Sequence, residues 1–105
     1  MIAQTQIDDV SDRIVRYHAP DRIILFGSYA YGVPDEGSDV DLLVVLPFDG
    51  KPFRKAAQIQ SQVHAGFPLD VIAVRPADLE RRYREADPLI RDALDRGRVL
   101  YERRS

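Results

Sequence analysis

Three short runs of aliphatic, largely β-branched residues govern what this chain can fold into: Arg22 to Phe26 (RIILF), Val40 to Leu46 (VDLLVVL) and Leu69 to Val74 (LDVIAV). Each has strand length, and each is stopped by a residue that interrupts pairing: Gly27, Pro47 and Pro76. They read as buried strands of one sheet. Helical spacing fills the intervals. Ile7, Val10, Ile14 and Tyr17 predict an amphipathic helix from Gln4 to His18 with that face inward, broken by Pro20. Phe53, Ala56, Ala57, Ile59 and Val63 supply the apolar side of a second, from about Phe53 to Ala65. Asp78 to Ala86 reads as a solvated helix. Asp87-Pro88 is an N-cap followed by proline at the first helical position, and Gly97 is a stop, so a further helix spans Pro88 to Arg96. Arg98 to Tyr101 is expected to add a fourth, edge strand. Helices alternating with strands imply a layered α and β architecture, and 105 residues without repeat or linker imply a single domain over 1–105.

Composition narrows the chemistry. With no cysteine, a disulfide framework, a thiolate nucleophile and Cys-ligated zinc are all excluded. The longest apolar run, Leu42 to Leu46, falls far short of the roughly 18 residues that span a bilayer, and Met1-Ile2-Ala3-Gln4 has no basic, then apolar, leader pattern. A cytoplasmic protein without membrane attachment is expected. A net charge of −2 gives no general field for a nucleic-acid backbone, so direct nucleic-acid binding is not expected. The charge is unevenly placed, however. Residues 1–50 carry −6 and residues 51–105 carry +4.

Chemistry is therefore sought in the acidic half. Alternation along a strand puts Asp39 and Asp41 on the same face, roughly 6.5 Å apart at Cα. Between Arg22 and Lys51 there is no Lys, Arg or His, while Asp35, Glu36, Asp39, Asp41 and Asp49 all lie there. Two carboxylates about 5 Å apart repel by about 3 kcal/mol at an effective dielectric of 20, which calls for a cation or a raised pKa. A hard divalent ion, Mg²⁺ or Mn²⁺, suits all-oxygen ligands of this kind. Asp70 stands in an otherwise apolar strand and is expensive to bury alone. Either it shares the Asp39–Asp41 site, making three carboxylates that fit a two-metal centre, or it is a core acid paired with an arginine of the C-terminal half. Gly27-Ser28, right after a strand, can present backbone N–H groups and a hydroxyl to a phosphate. His18 and His64 lack ligand spacing and read as structural or exposed; Tyr29 and Tyr31 read as packed and partly exposed. No P-loop, dinucleotide-binding or nucleophile-elbow motif occurs.

Taken together, Phe26-Gly27-Ser28, ten residues, Asp39-Val40-Asp41, and then an apolar strand with Asp70 closely resemble the DNA polymerase beta-like nucleotidyltransferase superfamily. In brevity the chain is similar to its minimal nucleotidyltransferase group. The likeness runs from about Ile24 to Val74, and more loosely through Arg91 to Glu102. It implies an α+β fold, a single compact domain with a mixed sheet of about three to four strands flanked by helices. It further implies that Gly27 and Ser28, with Ser38, hold the nucleotide, that Asp39 and Asp41 bind two Mg²⁺ ions, and that Asp70 completes the metal site and helps deprotonate the acceptor. The implied reaction is in-line attack of a hydroxyl on the α-phosphate of a nucleoside triphosphate, ATP above all, releasing pyrophosphate. The implied partner is a HEPN-type ribonuclease toxin encoded nearby, AMPylated on a tyrosine by its antitoxin. Two other readings stay open: a toxin-binding module with a vestigial site, and a modifier of a small molecule such as an antibiotic. Unlike many members of that group, this chain has Tyr29, Ala30 and Tyr31 before Gly32, so the turn supplies no side-chain cation.

Overall fold

The computed structural model describes residues 1–104. Helix α1 (Gln4–His18) leads into strand β1 (Arg22–Phe26), a single helical turn α2 (Ser28–Tyr31), and strand β2 (Val40–Val45). Helix α3 (Pro52–Val63) and strand β3 (Leu69–Val74) follow, then α4 (Pro76–Arg84), α5 (Pro88–Arg96) and strand β4 (Arg98–Glu102). The sheet order is β3-β2-β1-β4. β1 runs antiparallel to both β2 and β4, while β2 and β3 are parallel and joined through α3, as a parallel crossover requires. The sheet is thus mixed and four-stranded, with β3 and β4 at its edges.

Both faces of the sheet are covered. Ile23, Leu25, Val40, Leu42, Val44, Val71 and Ala73 pack with the buried stripes of α1 and α3. On the other face Ile24, Phe26, Leu43, Val45 and Val74 pack with Leu79 of α4 and with Ile90 and Ala93 of α5. Continuous apolar strands are what a sheet covered on two sides demands. Asp87 caps α5, accepting from the amides of Leu89 (3.0 Å) and Ile90 (3.2 Å). Gly97 ends that helix without a left-handed turn. Its need is proximity: a Cβ there would lie 2.3 Å from the Ala93 carbonyl oxygen and 2.7 Å from that of Leu25.

Several expectations change. Tyr17 is 58% exposed, because the buried stripe of α1 is Ile7, Val10, Ser11 and Ile14, and the next inward position, four residues on, belongs to half-buried His18. Phe53 is 65% exposed and Ala57 also faces outward, leaving Ala56, Ile59 and Val63 as the inner side of α3. That helix ends at Val63, since His64 takes a left-handed conformation (φ 46°). α4 starts at Pro76 rather than Asp78, because a proline that stops a strand also suits the first position of a helix. β2 ends one residue earlier than Leu46, and β4 one residue later than Tyr101.

Candidate active site

The site is built at one end of the sheet, where β1 finishes and β2 and β3 begin. Phe26 pairs with Asp41, and Asp41 pairs with Asp70 across the parallel ladder, so the two aspartates are direct neighbours on adjacent strands, which in any sheet run about 4.8 Å apart. Asp39 lies just before β2, not inside it, and is exposed. Alternation assigns Asp41 and Asp70 to the face that also carries Phe26, Leu43 and Val74, the face packed by α4 and α5. Among the described residues none of the three aspartates forms an ion pair.

Electrostatics follow from that placement. Burial pushes the carboxyl of half-buried Asp41 up to about 6, and the charges of Asp70 and then Asp39 push in the same direction. The charges of Asp70 and Asp39 thus reach Asp41. Asp70 is corrected in one respect: it is exposed, being the second residue of an edge strand, so it is neither a buried acid nor the partner of a C-terminal arginine.

Gly27 serves Asp41. Its backbone (φ 74°, ψ −157°) lies where side chains are strongly disfavoured, and a Cβ there would sit 2.2 Å from Asp41 Oδ2. The glycine makes room for the aspartate. It also anchors α2: its carbonyl accepts from Ala30 (3.0 Å) and Tyr31 (3.1 Å), leaving the opening amides of that turn without partners inside the helix. Gly32 closes the turn, since a Cβ there would meet the Ser28 Cα at 2.9 Å. Half-buried Ser28 follows Gly27 directly. Ser38 is differently engaged. Its hydroxyl accepts from the Asp35 amide (3.0 Å) and donates to the Asp35 carboxylate (3.2 Å), which shapes the loop before β2.

The tyrosines of α2 point to opposite layers. Tyr29 packs toward α1 and its hydroxyl accepts from the Ile2 amide at 3.0 Å. Tyr31 packs on the α4–α5 side, beneath the guanidinium of Arg96, whose carbon lies 4.2 Å from the ring centroid. Sequence reasoning missed Arg96, because only the fold brings the end of α5 to α2. Half-buried His18 has its pKa lowered by burial and by nearby Lys55, and His64 is exposed.

Among the described residues no group of three or more His, Cys, Asp or Glu closes into a ready metal cage. The donor set instead fits a hydrated hard cation: all-oxygen, anionic and without a competing cation, as suits Mg²⁺ held by one or two carboxylates plus substrate phosphate.

Three carboxylates beside a glycine turn form the candidate site, and comparison with known proteins gives the chain a family. The family model described as Nucleotidyltransferase domain matches residues 7–100, and this chain belongs to that family. Among individual relatives, a Methanocaldococcus jannaschii protein named "Putative protein adenylyltransferase MJ1305" is 37% identical over 87 residues, covering 77% of this chain. The chain spans 58% of that relative's length. The fold is shared with a crystal structure of a toxin–antitoxin with AMP-PNP (TM-score 0.60, 20% identity, 92% of this chain and 74% of the other). It is shared also with a structure of a tri-AMPylated Shewanella oneidensis HEPN toxin in complex with MNT antitoxin (TM-score 0.52, 16% identity, 95% of this chain and 74% of the other).

Proposed function

We propose that this chain transfers a nucleoside monophosphate, AMP from ATP, to a hydroxyl of a protein partner. The partner is a HEPN-type toxin encoded nearby, modified on tyrosine, and this chain is its cytoplasmic antitoxin. The observation that carries the reading is the ladder pair Asp41–Asp70 beside Asp39, none of them in an ion pair among the described residues, next to a glycine turn. Such a site is poised for a ligand that brings positive charge and phosphate together. The name of the archaeal relative and the nucleotide and toxin in the structural neighbours agree with it. Among the described residues no helix is long and apolar enough to cross a membrane.

In this mechanism Asp39 and Asp41 would hold two Mg²⁺ ions, with Asp70 completing the set. When bound, those ions supply charge neutralisation on the phosphates and a template for in-line displacement. The chain's own groups do the rest. The opening amides of α2 and the Ser28 hydroxyl hold the phosphates, and Gly27 keeps that cradle against Asp41. Asp70, exposed at the sheet edge, receives the proton of the attacking hydroxyl as its oxygen bonds to the α-phosphorus and the bond to pyrophosphate breaks.

The test is intact mass of the partner after co-expression. An increment of ~329 Da per AMP, with one pyrophosphate released per transfer, is expected with the wild type and not with Asp70→Asn. A partner left unmodified, yet neutralised equally by both versions, would identify a binding module instead.

A further inference from the structure

The proposed nucleotide brings several negative charges to an end of the sheet that already holds Asp39, Asp41 and Asp70. Between Arg22 and Lys51 the sequence offers no base to offset them. The fold supplies one from elsewhere. Arg96, the last residue of α5, lies over Tyr31 of α2 and makes no ion pair, even with Asp92 one turn earlier. Its backbone is fixed from the C-terminal side. Gly97, next in the chain, lies so close to β1 that a Cβ on it would sit 2.7 Å from the Leu25 carbonyl oxygen, two residues before Gly27, and Arg98 pairs with Leu25 in the sheet. Tyr31 packs on the same sheet face as Asp41 and Asp70. The guanidinium is thus on the aspartates' face of the sheet, beside the turn that begins at Ser28.

From this geometry we infer that Arg96 is a nucleotide-binding residue that contacts the β- and γ-phosphates of the triphosphate, and that Tyr31 positions it. The inference rests on the nucleotidyltransferase reading and adds the residue that reading lacks. A guanidinium stacked by its face keeps its N–H edges available, and those edges match phosphate oxygens two at a time. The stack holds a long, flexible side chain near its working place before the ligand arrives, which lowers the ordering cost of binding. An exposed arginine with an acid partner would have to break that pair first. Arg96 has none to break.

The experiment is Mg²⁺-ATP and Mg²⁺-AMP titration of the full chain by calorimetry, with melting temperature as the folding control. Arg96→Ala should weaken ATP about tenfold or more, bringing it toward AMP, and leave the melting temperature within about a degree. Tyr31→Leu should produce part of that loss, and Tyr31→Phe, which keeps the ring, should recover most of it. Arg84→Ala removes the same charge from α4, in a hollow it shares with Arg22 at the opposite end of β1, and should leave ATP affinity unchanged. An ATP affinity within twofold of wild type in Arg96→Ala overturns the inference, as does a loss shared equally by AMP. If the wild type binds no Mg²⁺-ATP, the nucleotidyltransferase reading itself fails, an outcome distinct from a wild type that binds and a variant that binds equally well.

Discussion

At the scale of single residues, the site is a compromise between repulsion and clearance. Asp41 is held above the ordinary carboxylate range by burial and by two neighbouring acids, so its ionised form is less favourable in the fold than in the unfolded chain. Its penalty is therefore absent below about pH 4 and fully present above about pH 6. Asp41→Asn should raise the apo stability at pH 7 by about 1 kcal/mol once solvent screening of a half-buried group is allowed for. Melting curves between pH 4 and 7.5 should show the difference from wild type shrinking as pH falls; a variant less stable than wild type at pH 7 would make Asp41 a structural residue. Gly27→Ala tests the neighbouring constraint. Its Cβ would collide with the Asp41 carboxylate, and its left-handed φ would cost of order 1–3 kcal/mol, so both melting temperature and Mg²⁺-ATP affinity should fall. Ser28→Ala should weaken only the nucleotide, by roughly 1.5 to 3 kcal/mol for one hydroxyl bond to a charged phosphate. The aspartates and the Gly-Ser turn were legible because base-free acids inside apolar strands are costly unless used. That Gly27 serves Asp41 was not legible, since the contact joins two strands through their pairing. Nor was the exposure of Asp70, which depends on β3 being an edge.

At the scale of elements, hydrophobic period and punctuation carried most of the fold into view. α1, β1, β3 and α5 have the bounds their residues predict, because each is bracketed by a strong local signal: Pro20, Gly27, Pro76, Asp87 or Gly97. What failed were positions where period alone assigns an inward face. Tyr17 and Phe53 satisfy the spacing but fall off the buried stripes, which continue to half-buried His18 in α1 and consist of Ala56, Ile59 and Val63 in α3. α5 deserves a prediction because it carries Arg96. Asp87 caps its first turn and pairs with Arg82 at 3.0 Å, and backbone hydrogen bonding, Ile90 first, holds its carboxyl below the usual range. Its stabilisation is thus present above the ordinary carboxylate pKa and lost as pH falls through the lowered one. Asp87→Ala should cost about 1 kcal/mol near neutral pH, with ATP affinity little changed, because fraying at the start of α5 leaves Gly97 seated on β1 at its end. Loss of ATP binding out of proportion to the change in melting temperature would show that the two ends of α5 are coupled.

For the molecule as a whole, the proposed site draws on both the acidic first half and the basic second half: β2 and β3 bring the carboxylates, α2 the turn, and α5 the proposed cation. This assembly was the least legible feature, because it depends on β4 returning to pair with β1 and so carrying Arg96 to Tyr31. It leads to a test that uses stability to report function. Without ligand, ionised Asp41 opposes folding at neutral pH, and Asp41→Asn should melt above wild type. With Mg²⁺ and ATP the same carboxylate becomes a binding group, so wild type should gain what the variant cannot. At a free ligand concentration of a hundred times Kd the gain is about 2.7 kcal/mol, and for a domain of this size each kcal/mol moves Tm by roughly 4–8 °C. The order of melting temperatures should therefore cross: variant above wild type in apo buffer, wild type above variant by about 5 °C or more with Mg²⁺-ATP. Excess EDTA should restore the apo order. A surface acid with no part in binding predicts parallel shifts, and a purely structural Asp41 predicts wild type above the variant in both conditions, so persistence of either order would remove Asp41 from the proposed site.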